Sequence, residues 1–289
     1  MKKEIYIYDS IIVGAGPAGI SAAIQLKRAG FHIVIFEKKH VGGLVCNANC
    51  IENYLGYSKP ISGRELTAIF AKQLCTWGIT PLIETVTKIT KRKNTFIIKT
   101  NTKKYFAKTV IVATGTTPKN AHISGEKELL GKSIFYEIID LPVYETNKSI
   151  AIIGGGDVAF DYAIQLARKK QEPYILTKKK QVCIEKLKAY AKQMSVPIFE
   201  NISVTSIKEN KKEKNALHLF TNNKTFKADF VLIAVGRKPT LPQIGYTDTA
   251  DKKGLFIANA AQQRKQRHIQ IACGDGLKAA IRAIEYLQT

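Results

Sequence analysis

Two glycine-rich turns lie about 140 residues apart in this chain, and each is framed in the same way. Gly14-Ala15-Gly16-Pro17-Ala18-Gly19 follows the apolar run Ser10-Ile11-Ile12-Val13. Gly154-Gly155-Gly156-Asp157-Val158-Ala159 follows Ser149-Ile150-Ala151-Ile152-Ile153. A strand, then a Gly-x-Gly-x-x-Gly/Ala turn, then a helical pattern is the context in which backbone N–H groups cradle a pyrophosphate. One such turn implies one nucleotide. Two imply two dinucleotides held face to face, typically a flavin and a nicotinamide.

The 289 residues suffice for two domains of ordinary size. No run approaches the roughly 18 apolar residues of a membrane span. The first residues, Met1-Lys2-Lys3-Glu4-Ile5-Tyr6, lead straight into a strand without a signal-peptide pattern, so a cytoplasmic protein is expected. The formal charge is +22, with eight arginines among 45 basic residues and 37 lysines. Arginine is the residue of bidentate phosphate and base contacts, so the lysine excess argues against a nucleic-acid reader. It reads as solvated lysine faces or as a surface that steers acidic partners. Five cysteines without a signal sequence do not form a disulfide framework. His32, His40, His122, His218 and His268 show no metal-ligand spacing, and no metal is expected.

The first turn opens a helix expected over Gly19–Ala29. A second strand at His32–Phe36 ends in Glu37, which lies 18 residues after Gly19. An acidic residue there accepts hydrogen bonds from an unphosphorylated ribose, as in FAD or NAD. A loop then runs from Gly42-Gly43 through Cys46 and Cys50 to Glu52-Asn53-Tyr54-Leu55-Gly56. A helix is expected from Ser62 to about Trp77. Strands are expected at Glu84–Thr90, Thr95–Thr100 and Lys104–Ala107, with a further buried one over 109–115.

The second turn opens a helix over Val158–Lys169. The following strand, Pro173–Thr177, ends in Lys178-Lys179-Lys180 where the first unit has glutamate. Lysines there pair with a 2′-phosphate, which points to NADPH, with NADH the alternative if they are only surface lysines. Beyond a polar turn at Glu209–Asn215, Ala228-Asp229-Phe230-Val231-Leu232-Ile233-Ala234-Val235-Gly236 echoes the stretch ending at Gly115, the mark of an internal duplication. Gly274-Asp275 precedes a helix expected over Leu277–Leu287.

In this order the motifs resemble the thioredoxin reductase-like branch of the two-dinucleotide-binding flavoproteins. Gly156-Asp157-x-Ala159-x-Asp161-Tyr162-Ala163 is similar to the thioredoxin reductase-like ferredoxin–NADP reductases. The resemblance implies an α/β protein of two Rossmann-like domains. FAD would be bound by residues 1–115 and 239–289, and NAD(P)H by the inserted residues 116–238. It implies FAD contacts from Gly14, Gly16, Pro17, Ala18, Gly19, Glu37 and Lys38. Gly43, Leu44 and Asn53 would add to them, with Ala113, Thr114 and Gly115. Asp275 would hold the ribityl chain, with Gly274 beside it, and a helix beginning near Gly276 would aim its positive end at the flavin. NADPH would meet Gly154, Gly156, Asp157, Val158, Ala159, Lys178, Lys179 and Gly236. Homodimers are usual in this family.

The resemblance breaks at Tyr136-Glu137-Ile138-Ile139-Asp140, where thioredoxin reductases carry Cys-x-x-Cys-Asp. Cys46 and Cys50, in the loop that the family places beside the flavin, are the candidate replacement. Four residues apart in one helical turn, they would permit a disulfide. The expected acceptor is an acidic electron carrier of the ferredoxin or flavodoxin type, favoured by the missing Cys-x-x-Cys and the basic surface, with a quinone also open; the alternative is a small disulfide reached through Cys46 and Cys50. A non-catalytic FAD-binding sensor is the alternative class.

Overall fold

The structure, a computed structural model, describes residues 6–142, 145–210, 216–245, 254–258 and 267–289. In chain order its elements are β1 (Ile7–Val13), α1 (Pro17–Arg28), β2 (Ile33–Glu37), α2 (Gly63–Thr76), β3 (Leu82–Ile83), β4 (Val86–Arg92), β5 (Thr95–Thr100), β6 (Lys104–Val112), β7 (Thr116–Pro118), α3 (Glu126–Leu129), β8 (Ile134–Phe135) and β9 (Ser149–Ile153). There follow α4 (Asp157–Arg168), β10 (Glu172–Thr177), α5 (Glu185–Gln193), β11 (Ile198–Glu200), β12 (Val204–Asn210), β13 (Ala216–Thr221), β14 (Thr225–Ala228), β15 (Phe230–Ile233), β16 (Arg237–Pro239), β17 (Gln243–Ile244), β18 (Leu255–Ile257) and α6 (Ile269–Gln288). Two 3-10 turns lie at Gly43–Asn47 and Ile138–Asp140.

The chain divides into two compact units. The first holds Met1–Cys46, Ile51–Thr117 and Lys238–Thr289, and the second holds Asn47–Cys50 and Pro118–Arg237. The segment Asn47–Cys50, kept with the first unit in the sequence expectation, groups with the second.

In the first unit the sheet order is β17-β4-β5-β6-β1-β2-β3, with β18 also on β6. β1 lies between β2 and β6, parallel to both. Ile11 and Ile12 point to opposite faces and both are fully buried. That is why the end of β1, Ile11-Ile12-Val13, reads as an unbroken apolar run rather than an alternating one. α1 buries Gly19, Ile20, Ala22, Ala23 and Leu26, one helical stripe. α2 starts on a capping box: the Ser62 hydroxyl accepts from the Glu65 N–H, and the Glu65 carboxylate accepts from the Ser62 N–H.

β6 joins what the sequence divided at residue 108. Its first half pairs antiparallel with β5, and its second half runs parallel to β18. The half-exposed meander and the buried parallel sheet thus share one strand, and the change of pattern between them looks like a break.

The expected helix over Leu277–Leu287 also needs correction. α6 begins at Ile269, so Gly274, Asp275 and Gly276 lie within it rather than before it. The glycine serves packing, not a turn: a Cβ on Gly276 would lie 1.9 Å from the carbonyl oxygen of Ala18 in α1. Close crossing of two helices overrides the low helix propensity of glycine.

The second unit has a five-stranded parallel sheet ordered β11-β10-β9-β15-β8 and an antiparallel meander β12-β13-β14. Its α4 packs Ala159, Phe160 and Ala163 into a core shared with Ile150, Ile152 and Ile175.

Candidate nucleotide-binding sites

In open parallel sheets, ligands lie beyond the carboxyl ends of the strands, and the first glycine turn stands at that end of β1. Gly14 takes φ +105°, and a Cβ there would lie 2.4 Å from the Ala113 carbonyl oxygen at the end of β6. Its N–H donates to the Phe36 carbonyl at 2.8 Å. The turn is therefore locked between the ends of β2 and β6. Above it the space is open, since a Cβ on Gly16 would meet nothing within 4 Å. Gly16 caps α1 without a side-chain hydrogen bond, and Pro17 follows. The first-turn N–H groups of α1 are left for an anion.

Glu37 is buried at the end of β2. One carboxylate oxygen accepts the Ala15 N–H at 2.8 Å, and the other accepts the N–H groups of Lys38 at 2.8 Å and Lys39 at 3.0 Å. These three bonds leave room for a further donor, because a carboxylate offers about four acceptor positions. An open cradle, an uncapped helix N-terminus and a fixed carboxylate with spare capacity fit the pyrophosphate and ribose of FAD.

Gly43 is brought to the same turn, its Cβ position 3.4 Å from the Gly16 Cα, and the Gly42 N–H donates to the Ala15 carbonyl at 2.7 Å. Thr114 donates its hydroxyl to the Thr240 carbonyl, and the Gly115 carbonyl accepts the Thr240 N–H at 3.1 Å. Lys38, Leu44 and Asn53 are exposed. Asp275 lies half-buried in the second turn of α6, not at a helix start. The strand nearest α6 in sequence, β18, ends at Ile257 and leads into Ala258.

The second turn repeats the first in its contacts with the neighbouring strand ends. A Cβ on Gly154 would lie 2.5 Å from the Ala234 carbonyl oxygen, and the Gly154 N–H donates to Leu176 at 3.0 Å. Gly156 is open and caps α4 without a side-chain bond. Ala159 is buried beneath, whereas Asp157 and Val158 are exposed. Lys178, Lys179 and Lys180 are exposed just past β10. Thr177 ties them to the turn: its hydroxyl donates to the Lys179 carbonyl at 2.8 Å and lies 2.4 Å from a Cβ position on Gly155. Thr177 was not singled out from the sequence, because a buried strand-end threonine carries no motif. Gly236, at φ +110°, accepts the Lys119 N–H at 3.0 Å.

The expected helical turn holding both Cys46 and Cys50 is not found. The 3-10 turn ends at Asn47, with Cys46 buried inside it and Cys50 exposed beyond it. The Cys46 thiol donates to the Gly43 carbonyl at 2.9 Å. Polar groups stop the turn by offering the backbone other partners. Asn47 Nδ2 donates to Glu137 Oε2 at 2.9 Å, the Ile139 N–H donates to Asn47 Oδ1 at 3.3 Å, and the Asn49 N–H donates to Asp161 at 3.0 Å.

Glu137 also binds Arg237 at 2.5 Å and the Tyr162 hydroxyl at 3.2 Å. Where the family resemblance places a redox Cys-x-x-Cys, an ion pair and its hydrogen bonds stand instead. Tyr136 next to it donates its hydroxyl to the buried Glu126. Burial pushes the Asp161 carboxyl up to about 6, against the opposing pull of the Asn49 N–H and Arg168. Among the described residues no group of three or more His, Cys, Asp or Glu could hold a metal ion. No described helix is long and apolar enough to cross a membrane.

Residues 8–285 match the pyridine nucleotide-disulphide oxidoreductase family. The chain is 32% identical over 301 residues to the thioredoxin reductase of Treponema pallidum, covering 98% of each chain. It is 31% identical over 309 residues to that of Ureaplasma parvum, covering 97% of each. The crystal structure of T. acidophilum thioredoxin reductase superposes with a TM-score of 0.83 at 30% identity, over 98% of this chain and 99% of that one. Two duplicated glycine turns, a buried carboxylate at the end of β2 and similarity along the whole length agree: the chain belongs to the pyridine nucleotide-disulphide oxidoreductases and is a flavin oxidoreductase of the thioredoxin reductase-like type.

Proposed function

We propose that this enzyme is an NADPH-dependent, FAD-containing disulfide reductase in which Cys46 and Cys50 are the redox pair. The observation that carries the disulfide acceptor is the whole-length similarity to thioredoxin reductases. FAD bound at the first turn would take a hydride from nicotinamide and pass two electrons on. NADPH as the donor is supported by Lys178–Lys180 beyond β10, where a 2′-phosphate finds cations.

The different exposure of the two cysteines supports distinct roles for them. Exposed Cys50, as thiolate, attacks the acceptor disulfide, and one acceptor sulfur leaves as thiolate. Cys46 then attacks the Cys50 sulfur of the mixed disulfide, releasing the acceptor as a dithiol and leaving a Cys46–Cys50 disulfide. Two electrons and two protons restore that pair. Exposed Leu277 and Ile281, four residues apart on α6, support the homodimer expected from the family resemblance.

Thiol titration before and after anaerobic NADPH reduction of the oxidised protein tests the pair. A gain of two thiols that disappears in Cys50→Ser is expected. No gain of thiols in a protein whose flavin is fully reduced contradicts the pair.

A second reading has a specific basis. The charge of +22 and the cysteine-free segment Tyr136–Asp140 favour an acidic electron carrier of the ferredoxin or flavodoxin type, or a quinone, reduced by the flavin directly. On that reading a Cys46→Ser/Cys50→Ser double variant keeps full NADPH-driven carrier reduction, and the rate falls steeply with salt.

A further inference from the structure

Asp157 occupies an awkward place. It is the first residue of α4, at the N-terminus that the second turn presents to a nucleotide pyrophosphate. A negative charge suits a helix N-terminus, yet it repels the anion that the same N-terminus would bind. The structure turns the carboxylate to another use. Asp157 Oδ1 accepts the N–H of Ile184 at 2.9 Å, from 27 residues further along the chain.

Ile184 ends the loop that begins at Lys178, and that loop is pinned along its length. The Thr177 hydroxyl donates to the Lys179 carbonyl at 2.8 Å. The Gln181 N–H donates to Glu200 at 3.1 Å, and the Val182 N–H donates to the Gly155 carbonyl at 2.8 Å. Cys183 is buried in the core of the unit, although Val182 and Ile184 on either side are exposed. Asp157 closes this set at the far end, against the helix that the glycine turn opens.

We infer that Asp157 is a positioning residue for nucleotide selectivity. It holds the Lys178–Lys180 loop against the second glycine turn, so that the lysines meet a 2′-phosphate already in place. The inference rests on the reading of the second turn as the NADPH site. Lysine carries its charge on a flexible four-carbon stem, so its capture of a phosphate depends on how well the backbone beneath it is fixed. A nucleotide without the 2′-phosphate makes no use of those lysines. Loosening the loop therefore weakens one ligand and spares the other.

Calorimetric titration of the full chain with NADP+ and with NAD+ tests this, and needs neither turnover nor an acceptor. The wild type binds NADP+ more tightly. Asp157→Ala is expected to lower the NADP+/NAD+ preference roughly threefold to tenfold, the effect of one net hydrogen bond; the charge removed from the helix N-terminus acts on the pyrophosphate of both nucleotides and cancels in the ratio. Asp157→Asn keeps an oxygen acceptor for Ile184 and is expected to keep the preference. An unchanged ratio in Asp157→Ala overturns the inference, as does equal weakening of both nucleotides. So does an Asp157→Asn variant that behaves like Asp157→Ala, since charge rather than the hydrogen bond would then be responsible. If Asp157→Ala does not fold, Thr177→Val removes a second pin and must show the same selective loss. A wild type without preference for NADP+ overturns the NADPH reading itself, whereas a preference untouched by these variants overturns the positioning role alone.

Discussion

Glu37 is a buried carboxylate and Asp161 a half-buried one, and they work in opposite ways. Glu37 accepts three backbone N–H groups, of which that of Ala15 lies in a buried bond. Glu37→Ala is expected to lower unfolding free energy by about 1–3 kcal/mol, the penalty for stranded donors. It should also lower the flavin-to-protein ratio of the purified enzyme, read from urea titration and the absorbance spectrum. Asp161 is held protonated up to about pH 6 by burial. Its folded value lies above the unfolded one, so the folded form keeps a proton that the unfolded form has lost between about pH 4 and 6. Stability from this group is therefore present below that window, is lost as pH rises through it, and levels off above it. Compared with Asp161→Asn, the wild type should lose up to about 3 kcal/mol from pH 4 to pH 7. A pH-independent difference would show that the carboxyl is not the cause. Glu37 was legible in the sequence because its spacing from Gly19 is set by one strand–helix–strand unit. The bonds Asn47–Glu137 and Asn49–Asp161 were not, because they join positions 90 and 112 residues apart and follow no spacing rule.

At the scale of elements, α6 against α1 is the contact that glycine makes possible. Helix propensity alone makes Gly276→Ala stabilising by roughly 1 kcal/mol. The Cβ would lie 1.9 Å from a backbone oxygen of Ala18, which cannot swing aside as a side chain would. The substitution is expected to destabilise by about 1–3 kcal/mol, the range for overpacking, with flavin lost because α1 carries the first turn. A rise in melting temperature would show that the helices separate freely. The same helix shows where local reading fails. Gly274-Asp275-Gly276 reads as a turn before a helix, and only the partner helix reveals it as a crossing point. β6 failed in the same direction, since its two halves pair with different neighbours. Elements defined by their own residues were legible: α2 carries its start signal in Ser62 and Glu65, and β1 and β9 in their apolar runs.

The whole molecule repeats one plan, and the repeat explains why its architecture was readable from two short motifs. Gly14 with Ala113 and Gly154 with Ala234 are the same contact made twice, each locking a glycine turn to the end of a neighbouring strand. What the plan does not specify is the electron acceptor. The most direct test of the central claim, that both turns serve one flavin–nicotinamide reaction, is anaerobic rapid mixing of the purified protein with NADPH. Bound flavin at one per chain, bleached near 450 nm on mixing, is the predicted result. Bound flavin whose absorbance is unchanged by excess NADPH or NADH would contradict the enzyme account.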